Sequence, residues 1–377
     1  MTKIPFYDFK PENALIEPRY NDMVGLQLLD GNFLTTELWN GVYKNVVKID
    51  RITGESTILY SHPTDIWFNP LEVLNDGNVI LMASTYPHKN HRLFRSTDAT
   101  LSNFVEVLNT GYMKPYSKHS VAQGKDGTIL YGEYVGSYAW NEDDVNTECK
   151  IWRSRDNGMT WEVANSFVRR GSQPQGSIDY IQHIHLVEYD PYTDLFWVGS
   201  GDKDNESGLW TTKDGSELNL IGRGYIEDVG VDDGQLYRAI GLEFYSDCIL
   251  WGTDGFKDGT WIIRYDRKTG ELIRTTPTRT ASTMFYSGTL HLQGGNKVSF
   301  FSDDGLKGSR IYYTYDQENV HELKAFEEVN RIQYTENPNE RTMVFTGDNE
   351  LKLDGNVFGS GTITFLPRDI TLNFLGS

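Results

Sequence analysis

The sequence predicts an all-β fold, specifically a β-propeller: a closed ring of about seven four-stranded blades. Three observations support this prediction. A pair of strands recurs at blade-sized intervals, and a second hairpin follows each pair. The composition, with 36 glycines and 13% aromatic residues, suits many short strands joined by tight turns. The same composition disfavours a helical bundle.

The recurring unit is an apolar strand, a turn rich in Gly, Asp or Asn, and a second apolar strand. In the second copy it reads PLEVLNDGNVILMASTY. Seven copies are spaced by 45, 50, 65, 56, 48 and 43 residues, beginning at Gly25, Pro70, Ser120, His185, Gly241, Thr289 and Ile332. Intervals of this length are typical of propeller blades.

The second hairpin also repeats, most visibly where DRITGE at 50–55 matches DRKTGE at 266–271. Two hairpins make a four-stranded unit. Such a unit alone would expose both sheet edges and an apolar face. Packing the units radially into a closed ring covers the apolar faces, so we expect that arrangement. Two alternatives remain: six blades with a separate piece after about Asn330, and a two-sheet sandwich, which does not explain the equivalent hairpin pairs.

We expect residues 1–377 to form a single domain. The chain carries one strand more than the seventh unit requires. Residues 1–20 and 360–377 are therefore expected to close the ring or to dock on it. The longest stretches outside the repeat are long enough to be functional loops: Gly136–Glu148, Val168–Tyr180 and Gly222–Gln235.

The charge balance excludes some partners. A formal net charge of −18 and a pI of about 4.9 disfavour nucleic acid and anionic membrane surfaces, because like charges repel. We expect no membrane insertion and no signal peptide, since no apolar run has the required length or position. Cys149 and Cys248 could form at most one disulfide, and they leave the redox compartment open.

One motif in the third unit carries family information. The second hairpin there reads IWRSRDNGMTW and fits the pattern Ser-x-Asp-x-Gly-x-x-Trp at Ser154, Asp156, Gly158 and Trp161. In this pattern the carboxylate accepts N–H groups of its own turn, glycine supplies a positive φ, and Trp packs between sheets. Weaker copies lie at 95–104 and 212–215. The motif is structural, so we assign it no catalytic role.

The motif and the repeat together resemble the sialidase-like Asp-box propellers, a superfamily of sialidases, other glycosidases, lyases and non-catalytic adhesins. The resemblance spans nearly the whole chain at the level of the repeat. It implies that Tyr286 lies where sialidases carry their nucleophile, and that Arg19 and Arg238 precede inner strands as carboxylate-clamping arginines do. The Arg-Ile-Pro signature of the first sialidase blade is replaced here by PRYN at 18–21.

The candidate site is the mouth of the propeller, because inner strands begin near its top opening. Three positions before the start of each unit, the seven residues are Asp22, Trp67, Ser117, Gln182, Arg238, Tyr286 and Val329. All of them except Val329 are polar or aromatic. Adjacent positions add Lys118, His119, His183, His185 and Arg331. If the mouth of the propeller had only a structural role, we would expect small or apolar residues at these positions.

From this set, Tyr286, His183 and Arg238 are the predicted catalytic residues if the protein is an enzyme. The predicted ligand-binding residues are Asp22, Trp67, Lys118, His119, Gln182, His185 and Arg331. His183 and His185 have strand spacing, so both point to one face. Together with His119 they could hold a divalent metal or contact a ligand without one, or they could be hydrogen-bonded residues lining a wet channel. No other cofactor is expected.

Other side chains at strand ends could add to the site. Trp67 could stack on a sugar ring or pack between blades. Three carboxylates could serve glycosidic chemistry: Glu37, Glu133 and Asp254. The acidic run at 202–206 could bind calcium or be a solvated loop.

Three functions fit these features: a surface glycan-binding propeller, a glycoside hydrolase or polysaccharide lyase, and a protein-interaction scaffold. The first is favoured, with a cell-surface polysaccharide or oligosaccharide as partner. Asp-box propellers mostly work outside the cytoplasm. A phage tail protein, released by lysis and bound to other virion proteins, would be extracellular or virion-associated without its own signal peptide.

Overall fold

A computed structural model describes the residues on which the following account rests. They are residues 5–7, 14–17, 26–30, 32–39, 42–50, 55–64, 67–85, 89–111, 113–114, 118–135, 148–168, 181–201, 206–224, 235–239, 241–254, 261–275, 283–291, 297–304, 309–314, 316–326, 331–335, 344–349, 358–365 and 372–374.

Within these residues the protein is all-β and has no α-helix. The strands form seven four-stranded antiparallel sheets and two small two-stranded ones. This arrangement confirms the predicted propeller. No helix in the described part of the chain is long and apolar enough to cross a membrane.

Strands are numbered β1 to β32 in chain order. Two strands precede the first sheet, namely β1 (Pro5–Tyr7) and β2 (Ala14–Glu17). The first sheet contains β3 (Leu26–Gln27), β4 (Phe33–Trp39), β5 (Val42–Ile49) and β6 (Ser56–Ser61). The second contains β7 (Trp67–Val73), β8 (Val79–Thr85), β9 (Lys89–Ser96) and β10 (Phe104–Gly111).

A two-stranded sheet, β11 (Met113–Lys114) with β14 (Tyr134–Val135), and a short 3₁₀ helix (Lys118–Ser120) accompany the third sheet. The third sheet contains β12 (Val121–Gln123), β13 (Ile129–Gly132), β15 (Glu148–Ser154) and β16 (Glu162–Val168). The fourth contains β17 (Ile184–Asp190), β18 (Leu195–Ser200), β19 (Gly208–Thr212) and β20 (Asn219–Arg223).

The fifth sheet contains β21 (Glu243–Phe244), β22 (Cys248–Gly252), β23 (Ile262–Asp266) and β24 (Leu272–Arg274). The sixth contains β25 (Thr283–His291), β26 (Lys297–Asp304), β27 (Ser309–Thr314) and β28 (His321–Phe326). The last strands are β29 (Arg331–Thr335), β30 (Val344–Asn349), β31 (Phe358–Phe365) and β32 (Leu372–Phe374).

The seventh sheet combines both ends of the chain. Its order is β2-β31-β30-β29, so the N-terminal strand β2 supplies the fourth strand. The register pairs Ala14 with Phe365 and Glu17 with Thr362. Strand β1 pairs in turn with β32. The first and last parts of the sequence are thereby hydrogen-bonded to each other.

Strand direction defines two faces of the ring. In the first six sheets the strands pair in chain order, with the first strand innermost. We call the end at which the innermost strands begin the top face. Because neighbouring strands are antiparallel, the turns after the first and third strands of each sheet lie at the opposite, bottom face, and the connections between sheets lie at the top.

Where side chains are described, the core lies between neighbouring sheets, as the fourth sheet shows. On β17, the adjacent residues Leu186 and Val187 pack into different clusters. Leu186 packs with Leu242 of the fifth sheet, whereas Val187 packs with Leu130 of the third. Successive side chains of a strand point to opposite faces of its sheet, so the fourth sheet packs against the fifth on one face and against the third on the other.

Both cysteines are buried in this core as free thiols, so the disulfide that the sequence left open is not formed. Burial, followed by the nearby carboxylate of Asp247, raises the pKa of Cys248 to about 11. These thiols behave as small apolar side chains rather than as reactive groups.

Aspartates shape the turns at the bottom face. In five consecutive sheets the turn between the third and fourth strands has an aspartate whose carboxylate accepts a backbone N–H two to four residues further on: Asp98, Asp156, Asp214, Asp266 and Asp316. Asp156 accepts from Thr160 N at 2.8 Å, while Ser154 Oγ accepts from Gly158 N at 2.8 Å. Gly158 has a φ of 84°, which glycine adopts without strain.

The same turns connect neighbouring sheets. Arg153 of the third sheet donates to Asp214 Oδ2 of the fourth at 2.7 Å. Arg95 of the second sheet donates to Asn157 O in the third at 2.6 Å. Polar side chains at the bottom face are thus committed to turns and to contacts between sheets.

We expect Asp156→Ala to lower the free energy of unfolding by about 1–2 kcal/mol at neutral pH, because the turn loses hydrogen bonds. Burial raises the pKa of Asp156, but hydrogen bonds from Thr160 and Ser154 outweigh it and hold the pKa below its ordinary value. The stability that the carboxylate contributes is therefore complete above the unfolded pKa of about 3.9. It is lost as the pH falls through the lower folded pKa. Urea denaturation across this range measures the difference.

The matched control is Asp156→Asn, which keeps one acceptor oxygen and should lose less stability. Ligand binding at the top face should be unchanged in both variants. A variant that keeps its stability but loses binding would contradict the structural role of this turn.

Candidate functional site

The predicted site residues lie at the beginnings of innermost strands, at the top face. Trp67 and Arg331 are the first residues of β7 and β29, and Tyr286 lies within β25. Lys118 belongs to the 3₁₀ helix before β12. The backbone alone is described at these four positions, so their side-chain roles stay predictions. Asp22 lies outside the described residues.

His119 and Glu188 form an imidazole–carboxylate pair between the third and fourth sheets. His119 Nδ1 is hydrogen-bonded to Glu188 Oε1, and the two side chains are 10% and 12% exposed. Glu188 Oε2 also accepts from Leu242 N at 3.0 Å, at the start of the fifth sheet. The 3₁₀ helix brings His119 to this place, since the neighbouring Ser120 Oγ donates to His185 O at 3.4 Å.

Two further residues meet the other edge of this imidazole. A Cβ on Gly241 would lie 3.3 Å from His119 Cε1 and 2.9 Å from Ser287 Oγ. Ser287, on the innermost strand β25 of the sixth sheet, is 2% exposed. Residues from four consecutive sheets therefore meet toward the centre of the ring. We call His119, Glu188, Gly241 and Ser287 the central site.

Sequence reasoning identified His119 in this group but missed Glu188 and Ser287 as site residues. Glu188 offered a signal, because it is an acidic residue within the apolar repeat HLVEYD of an innermost strand. Ser287 directly follows the predicted Tyr286.

His183 and His185 form a hydrogen-bonded pair, one of the alternatives that the sequence left open. Their Nε2 atoms are 2.9 Å apart, and their rings stack with centroids 4.8 Å apart. Tyr134 covers His183 at 4.1 Å between centroids. The two histidines are 0% and 1% exposed, and the adjacent Gln182 is buried. In this pair one nitrogen donates and the other accepts.

The alternative in which His119, His183 and His185 together hold a divalent metal finds no support in this geometry. Among the described residues, no group of three or more His, Cys, Asp or Glu side chains could hold a metal ion. The physical reason is that Nδ1 of His119 is directed to Glu188, while the other two imidazoles bond each other.

Arg238 is paired inside the protein. Its Nη2 lies 2.9 Å from Asp254 Oδ2, with the side chains 8% and 3% exposed. Nη1 donates to Gln235 Oε1 at 3.3 Å. The positive charge that the resemblance assigned to an acidic sugar is compensated by a buried carboxylate.

The other candidate carboxylates differ from the expectation. Glu133 is buried, and its carboxylate accepts from Lys150 N at 2.9 Å and from Trp152 Nε1 at 2.7 Å. Together with the pairing of Asp254, this commits both groups to structural contacts. The side chain of Glu37 lies outside the described part. Glu206, at the end of the acidic run, is fully buried rather than solvated.

No family model matches the sequence, and no curated protein is significantly similar to it. Among solved structures, a puromycin hydrolase is 12% identical with a TM-score of 0.53, covering 88% of this chain and 50% of that one. A GH74 enzyme from Niastella koreensis is 10% identical with a TM-score of 0.53, covering 90% and 55%. The chain spans about half the length of these two proteins.

A Hadza microbial sialidase is 12% identical with a TM-score of 0.47, covering 90% of this chain and 74% of that one. The puromycin hydrolase and the GH74 enzyme, at these low identities, show a shared propeller fold and no more.

We expect Arg238→Ala to lower the free energy of unfolding by about 3–5 kcal/mol, because it removes one partner of a buried ion pair. Thermal and urea denaturation measure this loss. Lys125→Ala, which removes an exposed ion pair with Asp194, is the matched control and should change stability little. Equal effects of the two substitutions would contradict the structural role of the Arg238–Asp254 pair.

Proposed function

We propose that this protein binds a neutral glycan at the top face of the propeller. The observation that supports this proposal is the central site, where polar side chains from the third, fourth and sixth sheets lie around Gly241 and where the His119 and Glu188 side chains are 10% and 12% exposed. Polar groups at the bottom face are instead committed to turns and to contacts between sheets.

Charge favours a neutral ligand over an acidic one. The net charge of −18 repels anions, and the guanidinium of Arg238 is compensated by Asp254. A glycan presents hydroxyl groups, which both donate and accept hydrogen bonds, to side chains such as these. Its apolar C–H faces would suit an aromatic residue such as Trp67 at the start of β7.

The likeness to a GH74 enzyme, a glycoside hydrolase with the same fold, supports a carbohydrate ligand at a coarse level. As a finer proposal, the glycan is a cell-surface polysaccharide or oligosaccharide. The protein then acts outside the cytoplasm on a virion, as a phage tail protein associated with other virion proteins.

A second candidate function is glycan cleavage, as a glycoside hydrolase or polysaccharide lyase. The observation that favours it is the His119–Glu188 pair, because a carboxylate that orients an imidazole is a common arrangement for general acid–base catalysis. Tyr286 directly precedes Ser287 of the central site and remains the predicted nucleophile.

A glycan array with neutral and acidic oligosaccharides tests the proposal. We expect binding to neutral glycans, weakened by Trp67→Ala through loss of stacking, and little response to acidic ones. The bottom-face variant Asp156→Ala is the control and should bind like the wild type. Binding confined to acidic glycans, or no glycan binding at all, would contradict the proposal.

Cleavage is tested by incubating the protein with each bound glycan and measuring new reducing ends or unsaturated products. If the protein is an enzyme, Tyr286→Phe should abolish turnover and spare binding, because only the hydroxyl is lost. If the wild type binds a glycan but releases no product, the cleavage hypothesis is contradicted and the glycan-binding function is kept.

A further inference from the structure

We propose that Asn157 is a latent modification site, at which the side-chain amide is converted to a carboxylate when the contact between the second and third sheets opens. This inference depends neither on a glycan nor on the top face. It concerns the turn between β15 and β16, at the bottom face.

The first step of the argument is the chemistry of the sequence. The chain has two Asn-Gly pairs, at 40–41 and at 157–158. In such a pair the backbone nitrogen of glycine can attack Cγ of the asparagine, because glycine has no side chain to hinder the approach. Ammonia leaves and a succinimide ring forms, which water then opens to aspartate or isoaspartate. This deamidation needs no reactant other than water.

The second step is that the structure holds both reacting groups at 157–158. The N–H of Gly158 donates to Ser154 Oγ at 2.8 Å, and Gly158 is buried. The amide of Asn157 donates from Nδ2 to Asp76 Oδ2 and accepts at Oδ1 from Gln123 Nε2 at 2.7 Å. Because a carboxylate only accepts, the bond to Asp76 fixes the orientation of the amide. The nitrogen cannot attack Cγ until hydrogen bonds on both groups break.

The third step is that this turn belongs to the contact between two sheets. Arg95 on β9 of the second sheet donates to Asn157 O at 2.6 Å and to Asp76 Oδ2 at 2.8 Å. A Cβ on Gly158 would lie 3.0 Å from Ile80 Cδ1, so the turn packs directly on the second sheet. Separation of the second sheet from the turn therefore breaks the bond to Asp76 and uncovers Gly158. The rate of deamidation then follows the fraction of molecules in which this contact is open.

The fourth step is the effect of the product on the same contact. A carboxylate at position 157 cannot donate to Asp76, and the two negative charges would repel each other at hydrogen-bond distance. Isoaspartate also adds a methylene carbon to the backbone of the turn. Once it has occurred, the modification therefore keeps the contact weakened.

Peptide mass spectrometry measures the reaction at Asn157 during incubation in mildly alkaline buffer, and chromatography separates aspartate from isoaspartate. The peptide that contains Asn40, which lies outside the described residues, is resolved separately. Incubation in concentrated urea gives the rate of the unfolded chain. We expect the native protein to react at Asn157 more slowly by at least about tenfold, because opening must break several hydrogen bonds.

Arg95→Met removes the guanidinium that joins the two sheets and should accelerate the native reaction by roughly tenfold. Arg267→Met is the matched control. It removes a largely buried ion pair with Asp190, between the fifth and fourth sheets, and should leave the rate near that of the wild type. Each protein is incubated at the same interval below its own melting temperature. Gln123→Ala removes only side-chain hydrogen bonds, should accelerate the reaction severalfold, and decides the question should Arg95→Met fail to fold.

Asn157→Asp places the aspartate product in the turn. We expect a lower melting temperature than in the wild type, and a smaller difference at high salt, because salt screens the repulsion from Asp76. Asn219→Asp makes the same charge change at an exposed position and should alter the melting temperature little.

Deamidation of Asn157 in the native protein as fast as in urea would overturn the inference. So would equal acceleration by Arg95→Met and Arg267→Met, because it would show global rather than local opening. No acceleration in either Arg95→Met or Gln123→Ala would also contradict it. An Asn157→Asp variant that melts like the wild type would refute the effect of the product on the sheet contact.

Discussion

Burial of a sheet on both of its faces is the constraint on which the rest of the structure depends. The alternating Leu186 and Val187 side chains on β17 show it directly, because each needs a different neighbouring sheet. A row of such sheets would leave an apolar face exposed at each end. Pairing of β2 with β31 joins the chain termini within the last sheet and supports closure of the row into a ring.

The top and bottom faces of the ring differ in their chemistry. The bottom face consists of short turns, in which aspartates such as Asp156 satisfy backbone N–H groups and arginines such as Arg153 join sheets. The top face receives the beginnings of the innermost strands. Side chains from distant parts of the sequence are therefore brought together there, as His119 and Glu188 are.

Within the top face, ion pairs and hydrogen bonds decide which groups remain able to bind a ligand. Arg238 and Asp254 compensate each other, and His183 and His185 bond through their Nε2 atoms. These groups fix the positions of the strand ends. The central site differs because the His119 and Glu188 side chains, which bond each other, are still 10% and 12% exposed.

The sequence by itself determined the fold and the turns. The predicted unit starts, such as Gly25 and Ser120, lie next to the starts of β3 and β12, because strand alternation and turn chemistry are local properties. It also placed His119 and His183 at the top face. Only the tertiary structure decided their partners, pairing His183 with His185 and adding Glu188 and Ser287 to the site of His119. The reason is physical: a strand start fixes where a side chain lies along the ring axis, whereas its hydrogen bonds depend on residues from other sheets.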